Sequence, residues 1–207
     1  MDAEERAAAD RAEPVPDWMR EHVDGHLAVS GAVAGILPAV TRVAVVIRDA
    51  FSRGNRLYTF GNGGSAADAQ HLSGELIGRY RARRRPLPAV TLGTDSSVLS
   101  CIGNDFAFDD VFARQVEALA TPGDVVAAFT TTGRSPNVVN ALAAARLAGA
   151  TTVLFGGGSG GAASALADHE LLVRSADTPR VQEAHTLMLH MISEFLDSWA
   201  AGQERSA

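Results

Sequence analysis

His71 and Glu75 stand four residues apart within residues 61–79, GNGGSAADAQHLSGELIGR. On a helix that spacing puts them about 40° apart, so an imidazole and a carboxylate share one face. Such a pair can move a proton or hold a divalent ion such as zinc. It is also a common exposed hydrogen-bonding pair, and spacing alone leaves both readings open. A second group, Gln182, Glu183, His185 and His190, crowds one closing helix. Gln182 and His190 are eight apart, about 80° around the axis, so both can reach one pocket. His185 fits a supporting role or simple core packing. His22, His26 and His169 read as surface or packing residues.

The stretch Thr130-Thr131-Thr132-Gly133-Arg134-Ser135 puts four hydroxyls within six residues. Ser135-Pro136 supplies an N-cap and an N1 proline for the helix that follows. Backbone N–H groups, the helix dipole and neutral donors can hold a phosphate without a lysine. The alternative is a capped turn with ordinary loop threonines. Gly61-Asn62-Gly63-Gly64-Ser65 follows a short apolar strand and opens an Ala-rich helix, and its glycines let a ligand approach the main chain. No Walker lysine is present and the glycines do not fit G-x-G-x-x-G, which argues against nucleotide hydrolysis and dinucleotide chemistry.

The elements that must position these groups follow from apolar patterning. Apolar runs at 57–60, 89–92, 125–129, 151–155 and 171–173 predict five strands alternating with helices. Strands so uniformly apolar belong to a parallel sheet covered on both faces, a doubly wound α/β fold. Ligands of such sheets sit beyond the carboxyl ends of the strands, where residues 61–65 and 130–135 fall. Helices are expected from Thr94 or Asp95 to a stop at Gly103-Asn104-Asp105, and over 109–120, 136–147 and 180–199. Two more precede the first strand. One begins near Trp18 with Asp17 as N-cap and breaks near Ser30-Gly31. The other spans 37–52, with Pro38 in its first turn and Gly54 at its end. They exceed what a small sheet needs for cover, so subunit packing is their expected use. The glycine run at 156–161 reads as a flexible loop.

The chain has 207 residues, 46% hydrophobic and 20% charged, which suits one α/β domain. We divide it into a disordered arm (1–13), a single domain (14–200) and a tail (201–207). Residues 14–54 form the leading helices of that domain and 55–200 its core. A net charge of −6 argues against a general nucleic-acid surface. The arginines of residues 79–85, Arg79 excepted, read as a solvated helix end. Cys101 is the only cysteine, so no intrachain disulfide is possible. The charged N-terminus lacks a signal-peptide core. The apolar region 31–47 is interrupted by Pro38, Thr41 and Arg42, so no membrane span is expected. The expected location is the cytoplasm.

GNGGSAADAQHLSGELIGRY, RRRPLPAVTLGTDSSVLSCIGNDFAFDDVFARQVEAL, FTTTGRSPNVVNAL and TPRVQEAHTLMLHMISEFLD occur in this order, and with them residues 18–199 resemble the phosphoheptose isomerases. These are sugar-isomerase (SIS) domain enzymes that interconvert sedoheptulose 7-phosphate and D-glycero-D-manno-heptose 7-phosphate. The resemblance implies a zinc site of His71, Glu75, Gln182 and His190. It implies proton transfer by Glu75 and His190, with Asp105 orienting a hydroxyl or sharing the relay. Substrate contacts would come from Asn62, Gly63, Gly64, Ser65, Glu75, Asn104, Asp105 and Gln182, with Thr130, Thr131, Thr132 and Ser135 as the phosphate cradle. It further implies a homotetramer with active sites built across subunits. Two departures stand out: the family's Ser-Thr-Ser-Gly-Asn-Ser loop is Thr-Thr-Thr-Gly-Arg-Ser here, and Gly93 replaces a frequent threonine. Arg134 thus adds a cation beside the expected phosphate or points to solvent, and the resemblance makes Arg79, in the family's E-L-x-G-R segment, a weaker candidate for the substrate edge. Related domains also act without catalysis, as sugar-phosphate sensors or as a replication-initiator-binding paralogue. That paralogue lacks the full Glu/His set, whereas His71, Glu75, Gln182 and His190 are all present here, which favours the enzyme.

Overall fold

The computed structural model describes residues 14–202. The expected arm (1–13) and most of the expected tail lie outside the described residues. Five parallel strands, β1 (Leu57–Gly61), β2 (Ala89–Thr91), β3 (Val125–Phe129), β4 (Thr151–Gly157) and β5 (His169–Val173), form one sheet in the order β2-β1-β3-β4-β5. The reversal of order between β1 and β3 opens a crevice at their carboxyl ends. Strand alternation divides the core between two faces. Leu57, Val125, Ala127, Phe129, Val153 and Phe155 face one helical layer, and Tyr58, Phe60, Val126, Ala128 and Leu154 face the other.

The first layer contains α1 (Asp17–Val33), α2 (Leu37–Ser52), α3 (Gly64–Ile77) and the closing helix α8 (Thr178–Ala200). The second contains α4 (Ser96–Asp105), α5 (Ala113–Leu119), α6 (Pro136–Leu147) and the short α7 (Gly161–Ser164). α2 buries Val40, Val43, Ala44, Ile47, Ala50 and Phe51, so it is a core helix of the sheet. α1 leaves Trp18, Met19, Val23 and Leu27 exposed and buries only Val33. It is tied to α8 by Arg180, which donates to the His22 carbonyl, and by the 2.8 Å pair of His26 with Glu183. By length and composition alone, residues 17–52 are long and apolar enough to cross a membrane.

Several expectations are corrected. α1 runs through Ser30-Gly31 and passes into α2 through a single 3-10 turn (Ala34–Ile36); Asp17 is its first residue, Pro16 is its N-cap and no side chain caps it. α4 continues through Gly103-Asn104-Asp105, because these exposed residues meet no steric obstacle to helix. The helix expected over 109–120 is divided into a 3-10 turn (Phe108–Asp110) and α5, where Val111 and Phe112 turn inward to the core.

The glycine run is not a loose loop. Gly156 and Gly157 belong to β4, and Gly161 opens α7. A Cβ at Gly161 would lie 2.5 Å from the Thr132 carbonyl oxygen, and one at Gly133 would collide with the Gly160 carbonyl. Two main chains therefore pack directly on each other, which only residues without a Cβ allow.

The arginine run lies beyond the helix: Arg81, Arg83 and Arg85 are exposed as expected, and Arg84 is the exception. α3 stops at Ile77, and the Arg84 side chain is fully buried against Asp197, with Nε to Oδ1 at 2.8 Å. Arg79 is exposed and donates to the Arg81 carbonyl oxygen at 3.3 Å.

Candidate active site

The strand β1 ends at Gly61, and α3 starts at Gly64 after a turn in which Gly63 has φ 55°. α3 is fixed to the sheet from inside: the Thr59 hydroxyl donates to the Ala69 carbonyl at 2.9 Å, with the Ser73 hydroxyl also at 2.9 Å. α8 lies alongside in the same direction. A Cβ at Gly64 would lie 2.6 Å from the Gln182 amide nitrogen, Asp68 accepts from the Thr186 hydroxyl at 2.9 Å, and His71 meets His190. These contacts form a polar seam along the two helices.

At one end of the seam the His71 Nε2 lies 3.1 Å from the Glu75 Oε1 and 3.3 Å from the His190 Nε2. One ligand atom from each residue falls within 4.8 Å of the others. Two nitrogens and a carboxylate oxygen converging in this way match the donor set of a divalent zinc-like ion. The ring of Tyr80 stacks on His190 with centroids 5.5 Å apart. Burial, the neighbouring His71 and Arg81 depress the His190 pKa against the opposing pull of Glu75. Burial raises the Asp68 pKa, opposed by the Thr186 bond and His71, and its Oδ2 has no hydrogen-bond partner among the described residues.

At the other end is a crevice of about 180 Å³ lined by Asn62, Ser65, Phe129, Thr130, Thr131, Thr132, Ser135, Thr178 and Gln182. It occupies the carboxyl ends of β1 and β3. The Thr130 and Thr132 hydroxyl oxygens accept from the Gly133 and Arg134 N–H groups at 3.1 and 3.3 Å, which fixes the loop and leaves both hydroxyl protons to donate. Ser135 occupies the N-cap position of α6 without bonding it, so its hydroxyl is not committed to the helix among the described residues. Asn62 and Asn137 exchange two amide hydrogen bonds of 2.9 Å, locking the glycine turn to α6. Arg134 is exposed at the loop's edge.

The structure thus gathers His71, Glu75 and His190 in one cluster and Asn62, Ser65, Thr130, Thr131, Thr132, Ser135 and Gln182 in the adjoining crevice. Gly63 and Gly64 form the turn between them. Gln182 lies with the crevice, its amide against Gly64. Asn104 and Asp105 are exposed at the end of α4, bonded to each other at 2.7 Å, with Cys101 donating to Asp105 at 3.5 Å. No contact among the described residues joins them to the crevice. His185 is a core residue: it is fully buried, edge-on to Phe129 and Phe155, and hydrogen-bonded to the Gly156 carbonyl at 3.2 Å.

Sequence reasoning missed Asn137, Thr178, Tyr80 and the pair Asp68–Thr186. A signal existed for Asn137, an amide on the first turn of a largely apolar helix. Asp68 lies one turn before His71 on the same face. Tyr80 was hidden among arginines.

A family model for the SIS domain matches residues 32–157. The phosphoheptose isomerase of Trichlorobacter lovleyi is 44% identical over 186 residues, which span 89% of this chain and 95% of that one. The solved phosphoheptose isomerase of Francisella tularensis superposes with a TM-score of 0.85 at 30% identity, covering 88% of this chain and 97% of that one. That of Neisseria gonorrhoeae superposes with a TM-score of 0.78 at 35% identity, covering 87% and 99%. The fold, the crevice at the switch point and these relatives agree: the chain belongs to the SIS-domain family, among the phosphoheptose isomerases.

Proposed function

We propose that this chain interconverts sedoheptulose 7-phosphate and D-glycero-D-manno-heptose 7-phosphate through an enediol. The observation that carries the reading is the polar seam between α3 and α8, which joins an acid–base cluster to a hydroxyl-lined crevice. The phosphate is assigned to Thr130, Thr131, Thr132 and Ser135, whose hydroxyls and helix start suit a dianion. The sugar would extend along Asn62, Gly63, Gly64, Ser65 and Gln182 toward His71. Aldose–ketose isomerisation moves one proton between adjacent carbons and another between their oxygens, and each positioned acid or base contributes about 10²- to 10⁴-fold. Glu75 and His190 are assigned these transfers. The depressed pKa of His190 favours its neutral ring, the form that accepts a proton or ligates a metal.

Zinc is the proposed cofactor, held by His71, Glu75 and His190, with Gln182 as a fourth donor. When bound it would polarise the carbonyl and hold the substrate hydroxyls. Asn104 and Asp105 are proposed to reach the sugar from the open side, Asp105 orienting a hydroxyl.

We further propose a homotetramer whose subunits pack through α1, on the strength of its exposed Trp18, Met19, Val23 and Leu27. A cytoplasmic location and carbohydrate metabolism, with no nucleic-acid or membrane partner, complete the reading. The test is incubation with sedoheptulose 7-phosphate, with and without a chelator. Zinc-replete protein is expected to form the aldose and chelated protein to lose activity. No turnover by zinc-replete protein would contradict the proposal.

A further inference from the structure

The buried pair Arg84–Asp197 lies outside the cluster yet touches every element that carries it. The last carbonyls of α3 have no partners within the helix. Arg84 supplies them: Nη2 donates to the Glu75 carbonyl at 2.7 Å, and Nη1 to those of Leu76 and Gly78 at 2.7 and 3.1 Å. A cation there also complements the negative end of the helix dipole. Asp197 receives the Arg84 Nε at 2.8 Å and the backbone N–H groups of Arg81 and Ala82 at 2.9 and 2.5 Å. Those bonds fix the segment that lays Tyr80 on His190. Asp197 is seven residues beyond His190 on α8, within about 20° of the same face. One ion pair therefore connects the backbone of Glu75, the ring covering His190 and the helix that bears His190.

We infer that Arg84 and Asp197 are positioning residues for the isomerase reaction: a buried clamp that sets the placement of Glu75 and Tyr80 relative to His190. A buried pair contributes little net stability over an apolar replacement, so the role assigned to it is geometric. Neither residue touches the phosphate crevice, so the clamp acts on turnover and not on substrate capture. The inference rests on the proposed role of Glu75 and His190.

The test uses zinc-replete Asp197→Asn and Arg84→Lys proteins, with Asp124→Asn as control. Asp124 is equally buried and accepts from the Arg56 and Thr121 N–H groups at the amino ends of β1 and β3, and it bonds to none of His71, Glu75, Tyr80 or His190. Steady-state turnover of sedoheptulose 7-phosphate is measured beside the imidazole NMR signal of His190, which the Tyr80 ring shifts. Loss of the clamp is expected to lower kcat about 10- to 100-fold, as small misplacements of reacting groups do. KM should stay within about threefold, as for an interaction felt in the transition state alone. The His190 signal should move. Asp124→Asn should lower Tm while leaving kcat and that signal in place. If Asp197→Asn does not fold, Arg84→Lys, which keeps the charge and loses the fork, carries the same expectation. A folded clamp variant with parental kcat and an unmoved His190 signal overturns the inference. If the parent protein does not turn over the heptulose phosphate, the functional reading fails, and the His190 signal alone decides the clamp.

Discussion

The Nε2 atoms of His71 and His190 face each other at 3.3 Å, with the Glu75 carboxylate 3.1 Å from the first. Two imidazoles so placed cannot both point an N–H into the gap. Either one donates to the other's lone pair, or both lone pairs aim at a shared cation. The arrangement predicts cooperative loss of the site. His71→Ala and His190→Ala should each abolish tight zinc binding, measured by titration with a competing chromophoric chelator, while thermal stability without zinc stays close to the parent's.

Substitution in the crevice should act on capture more than on turnover. Ser135→Ala removes a hydroxyl not committed to the helix among the described residues. It should raise KM for the sugar phosphate about 10- to 150-fold, the equivalent of one hydrogen bond to a charged group, with little change in Tm. Inorganic phosphate, as a competitive inhibitor, should lose affinity in parallel.

Gly64→Ala would set a methyl 2.6 Å from the Gln182 amide nitrogen. The side chain of Gln182 can swing away, so the fold should survive. The crevice would lose its amide, and kcat/KM should fall more than stability does.

His185 makes acid stability a second readout. Burial lowers its pKa to about 4 against the opposing hydrogen bond to Gly156, from an ordinary value of 6.5. Between these values the unfolded chain binds the extra proton, so stability is undiminished above pH 6.5 and declines as pH falls toward 4. The slope approaches about 1.4 kcal/mol per pH unit, about 3 kcal/mol in all. Denaturant unfolding of His185→Gln should lose that slope. The depressed pKa values of Asp124 and Asp197, whose hydrogen bonds outweigh burial, act lower, below the ordinary carboxylate range.

Glutamate in place of Leu27, which is 62% exposed on α1, should leave the subunit folded and split the assembly. Light scattering after size exclusion would read the mass, and a parent protein that is already monomeric would contradict the proposed tetramer.

β1, β3 and β4 were legible because they are largely apolar on both faces, and β3 and α6 have the bounds their patterns predicted, whereas β5 begins two residues earlier than expected, at the polar His169 and Glu170. Candidate chemistry was legible where it follows local spacing, as with His71 and Glu75. Features made by distant segments were not. Arg84 resembles its solvated neighbours in composition, and only the arrival of Asp197, 113 residues later, makes it a buried cap. The 156–161 glycines resemble a linker, and only the 131–133 backbone pressed against them explains why side chains are excluded. Asn104 and Asp105, expected at the sugar, stand exposed at the end of α4 and do not line the crevice.

The central claim is proton transfer by Glu75 and His190 through an enediol. Its most direct test is conversion of sedoheptulose 7-phosphate in deuterated water by the parent protein and by Glu75→Gln. The account predicts solvent deuterium at C2 of the aldose and a variant slower by about 100-fold or more. A Glu75→Gln protein that converts the substrate at the parental rate would contradict it.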